Sequence, residues 1–218
     1  MLTGGERVLR PIAVVDYGSG NVASVFNAIL RVADSAKLVT TSDEIVGAGA
    51  IVLPGVGAFP AFMDALEQRN LVETLVSSIR AGVPLLGICV GMQALASMGL
   101  ENGQRSGLSI NDGVVQNLAD LGVSGRRLPH VGWNSVTFSH GVPDDAPIRV
   151  LEDRDVYFMH SYGYSQDTPG AVGWTNYGVD FCSVIQSGTA LGVQFHPEKS
   201  QQAGLDFLAA WADGLRGQ

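Results

Sequence analysis

Four apolar segments alternate with helical patterns in the first half of the chain, and that alternation constrains the fold more than any other feature. Ile12 to Tyr17 is an apolar run of the kind found in a strand buried on both faces. Gly18-Ser19-Gly20-Asn21 turns the chain, and Asn21 can cap a helix over Val22 to Val32. Ala36 to Thr40 and Ala50 to Leu53 read as the second and third strands. Pro54-Gly55-Val56-Gly57 then breaks the pattern, and helical patterns follow over Phe59 to Gln68 and Leu71 to Ala81. Val83 to Ile88 is a fourth buried strand, and Gly91 to Met98 reads as a short helix. Strands joined by helices run parallel, with the helices covering both faces of the sheet. The spacing therefore predicts an α/β fold, a doubly wound and mostly parallel sheet flanked by helices.

The second half changes character. Gly113 to Leu118, Ser135 to Phe138, Asp155 to His160, Ala171 to Asn176, Phe181 to Gln186 and Ala190 to Phe195 read as short strands separated by turn residues. Some of them are expected to form a smaller antiparallel β layer beside the parallel sheet. A last helix over Gln201 to Leu215 turns Leu205, Leu208, Ala209 and Trp211 toward the core. Met1 to Arg10 reads as a polar lead-in without the apolar centre of a signal peptide. Residues 11–218 show no internal repeat and no long linker, so one domain is expected there.

Charge and cysteine content narrow the function. Net charge is −8 with no basic patch, which argues against a nucleic-acid partner. No apolar stretch reaches the ~18 residues of a membrane-spanning helix. The two cysteines, Cys89 and Cys182, are too few for a disulfide framework, so both thiols are expected to be reduced in a cytoplasmic protein. No pair of histidines has metal-ligand spacing, and neither a metal nor another cofactor is expected. Gly18-Ser19-Gly20 lacks the third glycine of a dinucleotide-binding loop.

Gly87-Ile88-Cys89-Val90-Gly91 lies between an apolar strand and a helix. Glycines two residues before and two after a reactive residue mark a nucleophile elbow, whose turn is too tight for side chains at those positions. Cys89 then sits at a helix start, where free N–H groups favour a thiolate. Cys182, within Phe181-Cys182-Ser183-Val184-Ile185, has no such context and reads as core. Four histidines compete as base: His130, His140, His160 and His196. His196 leaves the apolar strand Leu191 to Phe195 at its end, where α/β sites form. Pro197 fixes the next backbone step and places Glu198 to accept the second imidazole N–H. His140 lies in a polar loop, while His130 and His160 flank strands and could line the site. The glycines of Gly55-Val56-Gly57 can present backbone N–H groups to a developing oxyanion, with the Val90 N–H as second donor. Those glycines also permit a peptide flip, so the hole is expected to be incomplete in the free chain.

The elbow with its continuation, Gly-Ile-Cys-Val-Gly-Met-Gln over 87–93, and the stretch Gln194-Phe-His-Pro-Glu-Lys-Ser200 resemble the class I (triad-type) glutamine amidotransferases. Pro54 to Phe59, Pro129-His-Val-Gly-Trp-Asn134 and Tyr157-Phe-Met-His-Ser-Tyr162 narrow the resemblance to the glutaminase subunits of imidazole glycerol phosphate synthase, of histidine biosynthesis. It runs from about Ile12 to the C-terminal helix and implies one type 1 amidotransferase domain. The resemblance implies that Cys89 attacks the side-chain amide of glutamine and forms a glutamyl thioester. His196 protonates the leaving ammonia and activates the hydrolytic water, and Glu198 orients His196. By the same resemblance Gln93, Ser161 and Tyr162 hold the glutamine. By resemblance too, Asn21, Trp133, Asn134, Tyr157 and Lys199 belong to the partner interface or the ammonia path, the partner being a (β/α)₈ cyclase subunit forming a heterodimer. That partner uses the ammonia to make imidazole glycerol phosphate and AICAR.

Two departures stand out. Val90 replaces a more usual leucine, which leaves its backbone N–H unchanged. Gly107 to Gly113 (Gly-Leu-Ser-Ile-Asn-Asp-Gly) differs from the commoner Gly-Leu-Gly-Leu-Ile-Pro-Gly type segment. A glutaminase for a paralogous acceptor, in nucleotide-sugar amidation or pyridoxal phosphate synthesis, therefore stays open. A non-catalytic regulatory subunit and a stand-alone cysteine peptidase are weaker alternatives.

Overall fold

The computed structural model describes residues 10–18 and 22–215, so most of the lead-in and the Asn21 cap lie outside the described residues. The first half alternates as its pattern predicts: β1 (Ile12–Val15), α1 (Val22–Leu30), β2 (Ala36–Val39), α2 (Ser42–Ile45), β3 (Ala50–Gly55), α3 (Phe59–Gln68), α4 (Val72–Arg80), β4 (Leu85–Cys89) and α5 (Val90–Gln93). The second half is mainly strand: β5 (Met98–Gly99), β6 (Arg105–Ser106), β7 (Val114–Asn117), β8 (His130–Ser135), β9 (Thr137–Phe138), β10 (Asp155–His160), β11 (Tyr162–Ser165), β12 (Ala171–Asn176), β13 (Asp180–Ser187) and β14 (Ala190–Val193), closed by α6 (Gln201–Gly214).

The sheet order is β2-β1-β3-β4-β14-β13-β11-β7-β5-β6, with β12 and β9 branching from β13. β2, β1, β3, β4 and β14 pair in parallel. All four residues of β1 and all six of β3 are buried, the signature of strands covered on both faces. Most second-half strands extend this same sheet instead of forming a layer of their own. The cause is the β13–β14 hairpin: β14 enters parallel to β4, so β13 must run antiparallel to it, and β11 and β7 continue from there. The separate antiparallel layer is the β8–β10 pair.

Several boundaries differ from the sequence pattern. β3 runs through Pro54 to Gly55, because Gly55 still pairs with Cys89 on β4. The helix expected over Gly91 to Met98 is a single turn, α5. Beyond it the Ala94, Leu95 and Ser97 carbonyls accept N–H groups from Leu108, Asn111 and Gly107, which redirects the chain into β5. Tyr164 Oη donates to the Met92 and Gln93 carbonyls and holds that turn in place. The buried stripe of α6 is Ala203, Gly204, Phe207, Leu208, Trp211 and Ala212, while Leu205 and Ala209 are half-buried at its margin. At Gly204 any Cβ would collide with the Pro197 carbonyl, so α6 packs directly against the turn after His196. No helix among the described residues is long and apolar enough to cross a membrane.

Candidate active site

Cys89 is the last residue of β4 and has φ 54° and ψ −111°, a conformation that side chains rarely adopt. Strain of this kind costs about 1–3 kcal/mol and persists where the surroundings over-determine it. Here the surroundings are backbone. A Cβ on Gly87 would lie 2.7 Å from the Gly91 carbonyl oxygen, and one on Gly91 would collide with the Leu53 carbonyl of β3. The flanking glycines therefore let the elbow lie flat on its neighbouring strand. α5 is only one turn long, so its dipole is small, and the Val90 N–H at its start has no acceptor within the helix.

His196 follows β14, the strand paired in parallel with the β4 strand that ends on Cys89. Its N–H donates to the Tyr157 carbonyl (2.8 Å), and its carbonyl accepts from Ser200 Oγ (2.6 Å) and the Lys199 N–H (3.0 Å). With its backbone fixed on both sides, the imidazole places Nδ1 2.8 Å from Glu198 Oε1. A carboxylate only accepts, so Nδ1 carries the proton and Nε2 is left for the sulfur. Nε2 makes no fully formed hydrogen bond, and Cys89 is the neighbour that acts on it. Both side chains are almost wholly buried. Burial alone disfavours the imidazolium, but Cys89 and Glu198 outweigh it and raise His196 to about 9. Cys182 shows the opposite environment, with burial pushing its thiol up to about 12.

In the Gly55-Val56-Gly57 loop, expected to supply an oxyanion donor, the Val56 N–H is already engaged. The Val56 N–H donates to Tyr17 Oη at 3.1 Å. Tyr17 is buried, packs edge-on against Phe62 with ring centroids 4.7 Å apart, and is pushed up in pKa by that burial. Gly57 takes φ +89°, as the turn out of β3 requires.

A cleft of about 240 Å³ opens over Cys89 and His196. Val56, Gly57, Val90, Gln93, Ser161 and Tyr162, all singled out from the sequence, line it. Gln93 is buried, and its Nε2 donates to the Tyr162 carbonyl (2.8 Å) and to Gln194 Oε1 (3.1 Å). His160 also lines the cleft, whereas His130 stacks behind it on Phe158 and Tyr177. His140 is exposed.

The residues expected at the partner interface or the ammonia path do not all share a surface. Tyr157 pairs with Trp133 and Met159 with Val131 across β8–β10, and these four side chains form the outer face of that pair. Trp133 is 46% exposed, which excludes a core role. Asn134 instead projects inward, where its Nδ2 donates to the Asn176 carbonyl at 2.9 Å. Lys199 is half-buried in the turn after Glu198 and makes no ion pair among the described residues. Asn21 lies outside the described residues.

A family model described as glutamine amidotransferase class-I matches residues 13–211. The chain belongs to that family. Its relatives include the imidazole glycerol phosphate synthase subunit HisH of Streptococcus sanguinis, 42% identical over 89% of this chain and 92% of the relative. The HisH subunit of Moorella thermoacetica is 40% identical over 95% and 97%, and that of Methanothermobacter thermautotrophicus 41% identical over 94% and 99%. Among solved structures, a glutamine amidotransferase superposes with TM-score 0.71 at 16% identity, over 94% of this chain and 99% of that one. PurLQS from Thermotoga maritima superposes with TM-score 0.70 at 18% identity, over 95% and 99%. At those identities the superpositions establish the fold alone.

Three cleft or near-cleft residues of this amidotransferase escape sequence reasoning. Glu101 lines the cleft and accepts the Phe59 N–H at 2.7 Å, yet it sits in an ordinary-looking turn. Tyr17 ends the first apolar run and reads as core. Gln194 is fully buried with its Nε2 3.6 Å from Cys89 Sγ. The alternation of an extended segment puts Gln194 and His196 on one face, so that residue alone had a readable signal.

Proposed function

We propose that this amidotransferase is the glutaminase subunit of an imidazole glycerol phosphate synthase. The carrying observation is the Cys89 elbow facing a buried His196 whose tautomer is set by Glu198. The HisH names of its relatives supply the acceptor pathway.

Glutamine enters the cleft with its side-chain amide over Cys89. Gln93, Ser161 and Tyr162 hold it, and the Glu101 carboxylate receives its ammonium group. The Cys89 thiolate attacks the amide carbon, and negative charge develops on the oxygen. The Val90 N–H and the Val56 N–H, once turned from Tyr17, stabilise that charge, each donor being worth about 3 kcal/mol in the transition state. Imidazolium His196 gives its Nε2 proton to the amide nitrogen as the C–N bond breaks, releasing ammonia and leaving a glutamyl thioester. Neutral His196 then takes a proton from water, which attacks the thioester, so that glutamate leaves and the thiolate and imidazolium return. Glu198 keeps Nε2 aimed at the sulfur throughout.

The outer face of β8–β10, with Val131, Trp133, Tyr157 and Met159, receives a (β/α)₈ cyclase that consumes the ammonia. An aromatic-rich exposed face with a polar surround suits such a partner. A chain with two free thiols and this biosynthetic role works in the cytoplasm. Glutamate release by the purified chain with its co-purifying barrel protein tests the reading. Loss of release in Cys89→Ala supports it, and undiminished release in that variant refutes it.

A further inference from the structure

A line of hydrogen bonds runs from the inner face of β8 to the nucleophile, and the chemistry of its members sets the direction of every bond. The Tyr162 carbonyl can only accept, so Gln93 turns its NH₂ toward it at 2.8 Å. That same NH₂ lies 3.1 Å from the side chain of Gln194, which must therefore present its oxygen. The NH₂ of Gln194 is left facing Cys89 Sγ, at 3.6 Å.

The far end agrees. Asn134 Nδ2 donates to the Asn176 carbonyl at 2.9 Å, and its Oδ1 accepts the Ser135 N–H at 2.9 Å. Its NH₂ is therefore the group 3.4 Å from His130 Nε2, which makes that nitrogen an acceptor. His130 Nδ1–H then donates to His160 Nε2 at 3.2 Å, and His160 Nδ1–H to the Tyr162 carbonyl at 2.9 Å. Burial keeps both imidazoles neutral at physiological pH, as this pattern requires. The Tyr162 carbonyl thus receives two N–H groups and holds Gln93 in one orientation.

We infer that Gln194 is a catalytic residue, its amide locked by Gln93 so that an N–H rests on the Cys89 sulfur and stabilises the thiolate. The inference rests on the reading of Cys89 as the nucleophile. Gln194 is fully buried between Val193 and Phe195, both also fully buried. An amide there loses its water and needs strong partners. A thiol sulfur is a weak acceptor, whereas a thiolate is a strong one, so the site favours the charged form. The same donor stabilises sulfur as the leaving group when the thioester is hydrolysed.

The test is the pH profile of Cys89 alkylation by iodoacetamide in the full chain without glutamine, followed by peptide mass spectrometry with Cys182 as the internal control. The titratable groups around the sulfur and its cleft are His196 with Glu198 behind it, Tyr17, His160, Tyr162 and Glu101, and the substitutions leave all of them in place. Gln194→Met keeps the length and removes the donor. It should raise the alkylation midpoint by about one pH unit, which slows reaction about tenfold on the acid side. Gln194→Glu should raise it further, and glutaminase kcat should fall in the same order with KM changed little. A folded Gln194→Met chain with an unmoved midpoint overturns the inference. If that variant does not fold, Gln93→Met decides the question: releasing the lock should shift the midpoint the same way, and no shift overturns the inference. If wild-type Cys89 reacts no faster than Cys182, the reading of Cys89 as nucleophile fails instead.

Discussion

Acidifying from pH 6.5 to pH 5 should destabilise the fold by about 3 kcal/mol through His130 and His160 alone. An unfolded histidine titrates near 6.5, whereas burial depresses His130 to about 4 and His160 to about 3 in the folded chain. The folded pKa values lie below the unfolded one, so the unfolded state takes up protons first. The stability tied to these neutral rings is complete above pH 6.5 and is lost as pH falls from there toward 4 and 3. At about 1.4 kcal/mol per pH unit per proton, with half-titration at the start of the window, each ring loses roughly 1.5 kcal/mol between pH 6.5 and pH 5. His196 has the opposite sign. Raised to about 9, its contribution is complete below 6.5 and is lost as pH rises from 6.5 to 9. The three rings together place the stability maximum near neutral pH. The assay is urea unfolding followed by tryptophan fluorescence at several pH values between 5 and 6.5, for wild type, His130→Asn and His160→Gln. The informative quantity is the slope of unfolding free energy against pH, because a variant's absolute stability also reflects lost packing. Each variant should lose about half of the wild-type slope. Equal slopes in wild type and both variants would refute the reasoning.

Other perturbations read different parts of the site. Tyr17→Phe deletes the acceptor of the Val56 N–H while keeping the ring on Phe62, so glutaminase activity of the chain without its partner should rise, and an unchanged idle rate would show that this bond restrains nothing. Glu198→Gln removes the charge beside His196 Nδ1, so the His196 pKa should fall from about 9 and kcat should drop roughly 10²-fold or more, read by NMR titration and steady-state kinetics. Gly91→Ala drives a methyl into the Leu53 carbonyl, and a loss of about 1–3 kcal/mol in calorimetric stability is the expected outcome.

The elbow was legible because its chemistry is local: two glycines, one cysteine and a preceding apolar strand lie within one short segment. His196 and Glu198 were legible for the same reason, since proline locks their spacing. The first-half strands and helices followed from periodicity, and α3 spans the predicted residues. α5 was overestimated because the segment around Leu108 claims the carbonyls that would have continued the helix. The second-half strands were legible from their alternation, and some do form the separate β8–β10 layer as expected; which others join the main sheet is decided by the β13–β14 hairpin. That Asn134 projects inward, toward Asn176 and His130, was not legible because those contacts are set by strand pairing. Tyr17 makes its contact 39 residues away in sequence, a distance that no local pattern encodes, whereas Gln194, 105 residues from Cys89, carried one local signal in sharing a face with His196.

Rapid-quench mass spectrometry of the chain with its partner and glutamine tests the central claim most directly. A glutamyl adduct should appear on the Cys89 peptide during turnover, with Cys182 unmodified. Glutamate release without that adduct, or with the adduct on another residue, would contradict the account.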